Sequence, residues 1–144
     1  MTAAPEENKP AFKILLAEDN EMNRELATRL LKRRGHEVVA VANGQQALET
    51  YQKESFDVIL MDVEMPVMDG LEATRQIRSL EKTGAGARTP AHIPIIAMTA
   101  YDQQEMHHQI EKAGLDGLIN KPISTRELDP TLRGIVQKVR SEFP

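Results

Sequence analysis

The chain has 144 residues, a net charge of −4 and no cysteine. That length supports one domain with a sizeable core. The acidic balance argues against a nucleic-acid binder, and the missing thiols exclude disulfides, thiol catalysis and cysteine-based zinc sites.

Residues 1–11 are small, polar and bracketed by Pro5 and Pro10, which predicts a flexible leader or interdomain linker ahead of a folded unit over 12–141. Glu6 and Glu7 with no apolar core exclude a signal peptide, and no apolar stretch nears the ~18 residues of a membrane span. The expected location is cytoplasmic, without direct membrane contact, in a parent protein that could itself be membrane-anchored. From Phe12 the pattern alternates between two periods. Apolar runs at 13–17, 37–41, 57–61, 95–98 and 117–119 read as buried strands. After the first, Met22, Leu26, Leu30 and Leu31 mark a helix whose stripe is expected to face the core, stopped by Gly35. The basic run Lys32-Arg33-Arg34 suits the end of that helix. Ala47, Leu48 and Tyr51 mark a second helix, and Leu71, Thr74 and Ile77 a third. Residues 82–92, with Gly84, Gly86 and Pro90, read as a long connection. Met106, Ile110 and Ala113 mark a fourth helix, stopped by Gly114. Leu128, Leu132, Ile135, Val136 and Val139 mark a fifth, with Ser124 and Glu127 placed for a capping box. Strands alternating with helices predict an α/β chain, and right-handed crossovers restrict it to a doubly wound parallel sheet.

Four of the strands end in chemistry. The first stops at Glu18-Asp19, the third at Asp62, the fourth at Thr99, and the fifth runs through Asn120 into Lys121-Pro122. In a doubly wound sheet such endings gather in the crevice where strand order reverses. Two carboxylates ~4 Å apart repel by about 4 kcal/mol at an effective dielectric near 20, so the group needs a compensating cation. Oxygen donors without His or Cys select a hard ion, and Mg²⁺ suits a few carboxylates plus substrate phosphate. Pro66 and Gly70 predict a shaped turn after Asp62, able to aim the Glu64 backbone carbonyl at a metal on Asp62. An aspartate can act as nucleophile to form an acyl phosphate. Thr99 then offers a hydroxyl to a phosphoryl oxygen and Lys121 a positive charge.

Glu18-Asp19-Asn20, Asp62 with Met65-Pro66-Val67-Met68-Asp69-Gly70, Met98-Thr99-Ala100 and Lys121-Pro122 together resemble the receiver domains of two-component response regulators. The resemblance spans about 13–128. It implies a flavodoxin-like (βα)5 sandwich whose five-stranded parallel sheet has the order 2-1-3-4-5. It also implies Asp62 as acceptor of a phosphoryl group from a phosphohistidine, and Glu18, Asp19, Asp62 and the Glu64 carbonyl as ligands of Mg²⁺ or Mn²⁺. Thr99 and Lys121 become phosphate contacts, while Glu64 and Tyr101 flank the phosphoryl group and modulate water access. Partners are a histidine kinase dimerisation/phosphotransfer domain or an HPt protein, docking at Met22, Asn23 and Pro122, with no nucleic acid involved. Phosphorylation is expected to alter the face built by the fourth helix, fifth strand and fifth helix. Asn23, three after Asn20, and the long connection are similar to receivers of hybrid histidine kinases, with a free-standing receiver as the alternative. In that family an aromatic residue usually stands three before the lysine. Here Leu118 stands there, which shifts the expected signalling route toward Thr99 and the loop that follows it.

Two other functions share the sheet. A small phosphohydrolase also uses an aspartate and Mg²⁺, with a second acid two residues on, where Glu64 stands, but the chain leaves no room for a substrate cap. A receiver reduced to an interaction module would lack chemical residues that are all present here. The domain is therefore expected to promote its own phosphorylation and dephosphorylation rather than to turn over a substrate.

Overall fold

The computed structural model describes residues 11–84, 92–100 and 104–143. The apolar runs form β1 (Lys13–Ala17), β2 (Glu37–Val41), β3 (Val58–Asp62), β4 (Ile95–Thr99) and β5 (Gly117–Asn120). Between and after them lie α1 (Glu21–Arg33), α2 (Gly44–Lys53), α3 (Gly70–Thr83), α4 (Gln104–Ala113) and α5 (Leu128–Glu142). Every ladder is parallel and the order is β2-β1-β3-β4-β5. This is the predicted doubly wound sheet. From β1 the chain winds first outward to β2 and then back across to β3, so the crevice opens between the ends of β1 and β3.

Side chains alternate across the central strands with period two. Leu15, Ala17, Ile59, Met61, Ile95 and Ala97 meet α2, α3 and α4 on one face. Ile14, Leu16, Val58, Leu60, Ile96 and Met98 meet α1 and α5 on the other. β3 and β4 are buried along their whole length, as parallel strands covered on both sides must be.

The elements differ from expectation where long-range pairing decides. β3 reaches Asp62 because that residue pairs with Met98, and β4 reaches Thr99 because it pairs with Asn120. α3 continues through Lys82 and Thr83 and is capped by Gly84 in the left-handed region, so the connection before β4 begins later than predicted. Residues 85–91 of that connection, and residues 1–10 of the expected leader, lie outside the described residues. The predicted core stripe of α1 is corrected. Ala27 and Leu31 are buried, Leu30 partly so, whereas Met22 is 79% exposed and Leu26 is exposed as well. The capping box is half made. Ser124 Oγ accepts the Glu127 N–H at 3.3 Å, but Glu127 makes no capping bond and α5 begins after a turn, at Leu128.

At the base of the sheet, α5 is tied to the start of β1 and β2. The buried His36 ring accepts the Phe12 N–H at Nδ1 (3.0 Å) and faces Asp129 Oδ1 from Nε2 (2.6 Å). Asp129 Oδ2 accepts from Arg133 Nε at 2.8 Å. Burial pushes the Asp129 carboxyl up, but His36 and Arg133 more than offset it and hold it below its ordinary value. Asp129→Ala removes the carboxylate that both His36 Nε2 and Arg133 Nε meet in a partly buried setting, and is expected to cost about 2–4 kcal/mol at neutral pH. A carboxylate with a depressed folded pKa stabilises above its unfolded value of about 3.9 and loses that contribution on acidification. Urea unfolding should therefore show the gap between wild type and variant narrowing below about pH 4.

Candidate functional site

The strand ends deliver their polar residues to one edge. Ala17 pairs with Met61, so Glu18 and Asp62 leave β1 and β3 at the same level, and Thr99 stands one residue beyond the Met98 that pairs with Asp62. Glu18 is 1% exposed and Asp62 4%; Thr99 is buried too, while Asp19 is exposed. Lys121 closes the group. Its Nζ lies 2.7 Å from Glu18 Oε1 and 2.9 Å from Asp62 Oδ2, so the compensating cation that the sequence demanded is a side chain of the protein itself. Glu18 Oε2 accepts the Asn20 N–H at 3.0 Å, and Asp62 Oδ1 receives the Glu64 N–H at 3.3 Å.

These contacts set the electrostatics. Burial pushes the Asp62 carboxyl up, Lys121 pulls it down and Glu18 pushes it up again, leaving it at about 7. Burial alone would lower the Lys121 ammonium, but hydrogen bonds to Glu18 and Asp62 raise it above its ordinary value. The Asp62 carboxyl is thus about half protonated near neutrality, and a second cation would release that proton. Ligand oxygens of Glu18, Asp19 and Asp62 lie within 4.8 Å of one another. All are carboxylate oxygens, the donor set of a hard divalent ion.

The turn after Asp62 is shaped by backbone contacts. The Pro66 carbonyl accepts the Met68 N–H at 2.7 Å around Val67, a three-residue γ-turn with Val67 at φ 69°. A β-branched residue in the left-handed region is strained, and Val67 is fully outside the core. Gly44 donates its N–H to the Met68 carbonyl at 2.8 Å, and Gly70 donates to the Val63 carbonyl at 3.0 Å. A side chain at Gly44 would collide with that Met68 carbonyl, and one at Gly70 with the Asp62 carbonyl, so two glycines let the turn close directly over the acid. Asp69 then caps α3 by accepting the Glu72 N–H at 2.9 Å.

The Lys121–Pro122 bond is cis. Beside it a cleft of about 350 Å³ is lined by Asn23, Leu26, Ala100, Lys121, Pro122 and Ile123. Asn23 and Pro122 are thus brought together, with the exposed Met22 at the neighbouring start of α1. Tyr101 lies outside the described residues. Leu118 is partly buried against the core on the α2–α3–α4 face. The sequence reading missed Arg24, whose Nη1 donates to the Glu18 carbonyl at 2.9 Å. A cation in the first turns of a helix, against the macrodipole, was the available signal.

Residues 14–133 match the response regulator receiver domain family. The chain belongs to that family. It is 40% identical over 121 residues to hybrid signal transduction histidine kinase I of Dictyostelium discoideum, covering 81% of this chain and 7% of that protein. Eight curated relatives that are 35–41% identical are much longer, and the chain spans 7–16% of their length. Among solved structures, the receiver domain of sensor histidine kinase PA1611 from Pseudomonas aeruginosa PAO1, with magnesium coordinated in its active-site cleft, is 34% identical with a TM-score of 0.76. The match covers 89% of this chain and 99% of that one. The receiver domain of Saccharomyces cerevisiae Ssk1, solved with the histidine phosphotransfer protein Ypd1, is 28% identical with a TM-score of 0.75 over 83% of this chain and 85% of that chain. This receiver domain therefore has its family's fold and, at the family's crevice, an acidic cluster answered by a lysine.

Proposed function

We propose that Asp62 is the phosphoacceptor of a phosphorelay. The observation that carries this reading is the placement of one buried carboxylate, 2.9 Å from Lys121 Nζ and beside Glu18 and Asp19, at the open edge of the sheet. A carboxylate oxygen of Asp62 attacks the phosphorus of a partner's phosphohistidine. The nitrogen–phosphorus bond breaks, the imidazole leaves, and an acyl phosphate forms on Asp62. Lys121 and the Thr99 hydroxyl bind phosphoryl oxygens as charge arrives. Mg²⁺ or Mn²⁺, held by Glu18, Asp19, Asp62 and the Glu64 backbone carbonyl, supplies further charge neutralisation when bound. The exposed Glu64 side chain, together with Tyr101, governs access of water to the acyl phosphate. Thr99 and Lys121 drawn toward the new charge shift α4, β5 and α5, the face a downstream partner reads.

The donor is a histidine kinase dimerisation/phosphotransfer domain or an HPt protein, docked over Met22, Asn23 and Pro122. The chain would serve as the receiver of a hybrid sensor histidine kinase, on the cytoplasmic side. Support comes from the exposed apolar start of α1 beside the cleft and from the hybrid kinase among its relatives. The test of the chemistry is stoichiometry: acetyl phosphate and Mg²⁺ should add one hydroxylamine-labile phosphoryl group per chain. Continuous turnover of a small phosphate ester would overturn the reading in favour of a phosphohydrolase. For docking, Met22→Asp places a charge in the contact and is expected to slow transfer from a phosphohistidine domain about 10-fold. Phosphorylation by acetyl phosphate should be unchanged; equal slowing of both would refute the docking surface.

A further inference from the structure

We propose that Arg24 is a positioning residue for the divalent cation, holding the main chain of Glu18 and Asp19 so that the Asp19 carboxylate is presented to the metal. The proposal rests on the reading of Glu18, Asp19 and Asp62 as metal ligands.

Three observations lead there. Arg24 Nη1 lies 2.9 Å from the Glu18 carbonyl and 3.4 Å from the Asp19 carbonyl, so one guanidinium bridges two consecutive peptide units of the β1–α1 connection. That connection has few other ties. Glu18 donates its N–H to the Val41 carbonyl at 3.1 Å as the sheet ends, and the first helical bond runs from the Arg24 N–H to the Asn20 carbonyl at 2.8 Å. Between these points the two carbonyls face Arg24.

The second observation is the contrast between the two acids. The Glu18 carboxylate is gripped at both oxygens, by the Asn20 N–H and by Lys121. The exposed Asp19 carboxylate makes no hydrogen bond among the described residues, so the fold holds this residue through its backbone. The Asn20 cap on α1 fixes that backbone from one side, through the Asn23 N–H at 2.9 Å. Arg24 fixes it from the other.

The third is a local rule broken. A cation near a helix N-terminus opposes the macrodipole, and Arg24 sits four residues after the cap. Side chains on a helix lean toward its N-terminus, which carries this one back over the acidic pair. Both contacts leave the single nitrogen Nη1 at the far end of the side chain, so it is the reach of arginine that brings the two carbonyls under one group.

The proposal has an unusual sign. By Coulomb's law a positive group beside a cation site weakens metal binding, so neutralising Arg24 should tighten it. If the guanidinium instead orients a ligand, neutralising it should weaken binding; outer partners of metal ligands commonly contribute about 10-fold or more to affinity. Mn²⁺ binding to the full chain, followed by the electron paramagnetic resonance of the free ion with Mg²⁺ as competitor, separates the two. We expect Arg24→Gln to bind about 10-fold more weakly and Arg24→Lys, which keeps the charge but is one atom shorter than the reach to Nη1, to fall between it and wild type. Wild-type or tighter binding by either variant overturns the proposal, and Arg24→Lys decides alone should Arg24→Gln fail to fold. Asp19→Asn is the control. If it leaves Mn²⁺ affinity unchanged, the metal-site reading itself falls; if it weakens binding while Arg24→Gln does not, only the positioning role falls.

Discussion

Asp62→Asn is expected to abolish phosphoryl uptake while leaving the folded chain more stable above neutral pH. Loss of uptake should be on the order of 10³-fold or greater with both acetyl phosphate and a phosphohistidine donor, because the amide is no nucleophile. Neither neighbouring acid replaces it: Glu18 is held at both oxygens, and Asp19 stands exposed on the connection after β1. The stability effect comes from the same burial. In the folded chain the Asp62 carboxyl titrates at about 7, raised by burial and by Glu18 against the pull of Lys121, whereas the unfolded value is near 3.8. Between those values the folded state binds more protons than the unfolded one, so wild-type stability falls as pH rises from about 4 to about 7. Asparagine removes that ionisation and can still accept from Lys121. The variant should gain about 1–2 kcal/mol over wild type at pH 8 without divalent ions, and the difference should vanish below about pH 4. Mass spectrometry after donor treatment and urea melts across pH measure both halves. Uptake that survives in Asp62→Asn moves the acceptor elsewhere; a pH-independent stability difference removes the buried-carboxylate account.

How much of this was legible in the residues differs from element to element. The strand endings were readable because a buried parallel strand is a short apolar run with an abrupt polar stop, and the four stops complement one another chemically. That they share one edge followed from right-handed crossovers; the lateral order came with the family resemblance, since strand periodicity carries no information about neighbours. Met22 and Leu26 misled because helical spacing cannot say which face turns inward. Ala27 and Leu31 take the core, and the apolar residues left outside lie beside the cleft at Pro122. Pro66 and Gly70 announced the turn after Asp62, but nothing local in Val67 predicts φ 69°, a conformation its branched side chain disfavours and the surrounding contacts impose. Arg24 acts on backbone carbonyls, which every residue possesses, so its partners leave no mark in the sequence. Lys121 could be named from its place after β5, yet its grip on both Glu18 and Asp62 depends on a meeting of three strands.

That grip makes Lys121→Met the variant with the next largest expected consequence. Lys121 stands between two carboxylates that burial has stripped of water, and its removal leaves them facing each other without a counter-charge. Breaking a buried ionic group from one side typically costs about 3–5 kcal/mol, and here part is recovered by protonating Asp62, whose pKa should climb further. Without metal, the variant should therefore lose about 2–4 kcal/mol at pH 8 and less at pH 6, where the Asp62 proton is retained. A divalent cation that binds the folded cluster stabilises it by mass action. Since no other cation among the described residues pairs with the two carboxylates, saturating Mg²⁺ should raise the melting temperature of Lys121→Met more than that of wild type. Phosphoryl transfer measured with Mg²⁺ saturating should still fall about 10²-fold, because the metal replaces the charge at the acids but not the contact to the arriving phosphoryl oxygen. The two readouts separate the roles of one ammonium. A variant that melts like wild type without Mg²⁺ would show that Lys121 does not balance the acids, and one that accepts phosphoryl groups at the normal rate would show that it does not touch the phosphate.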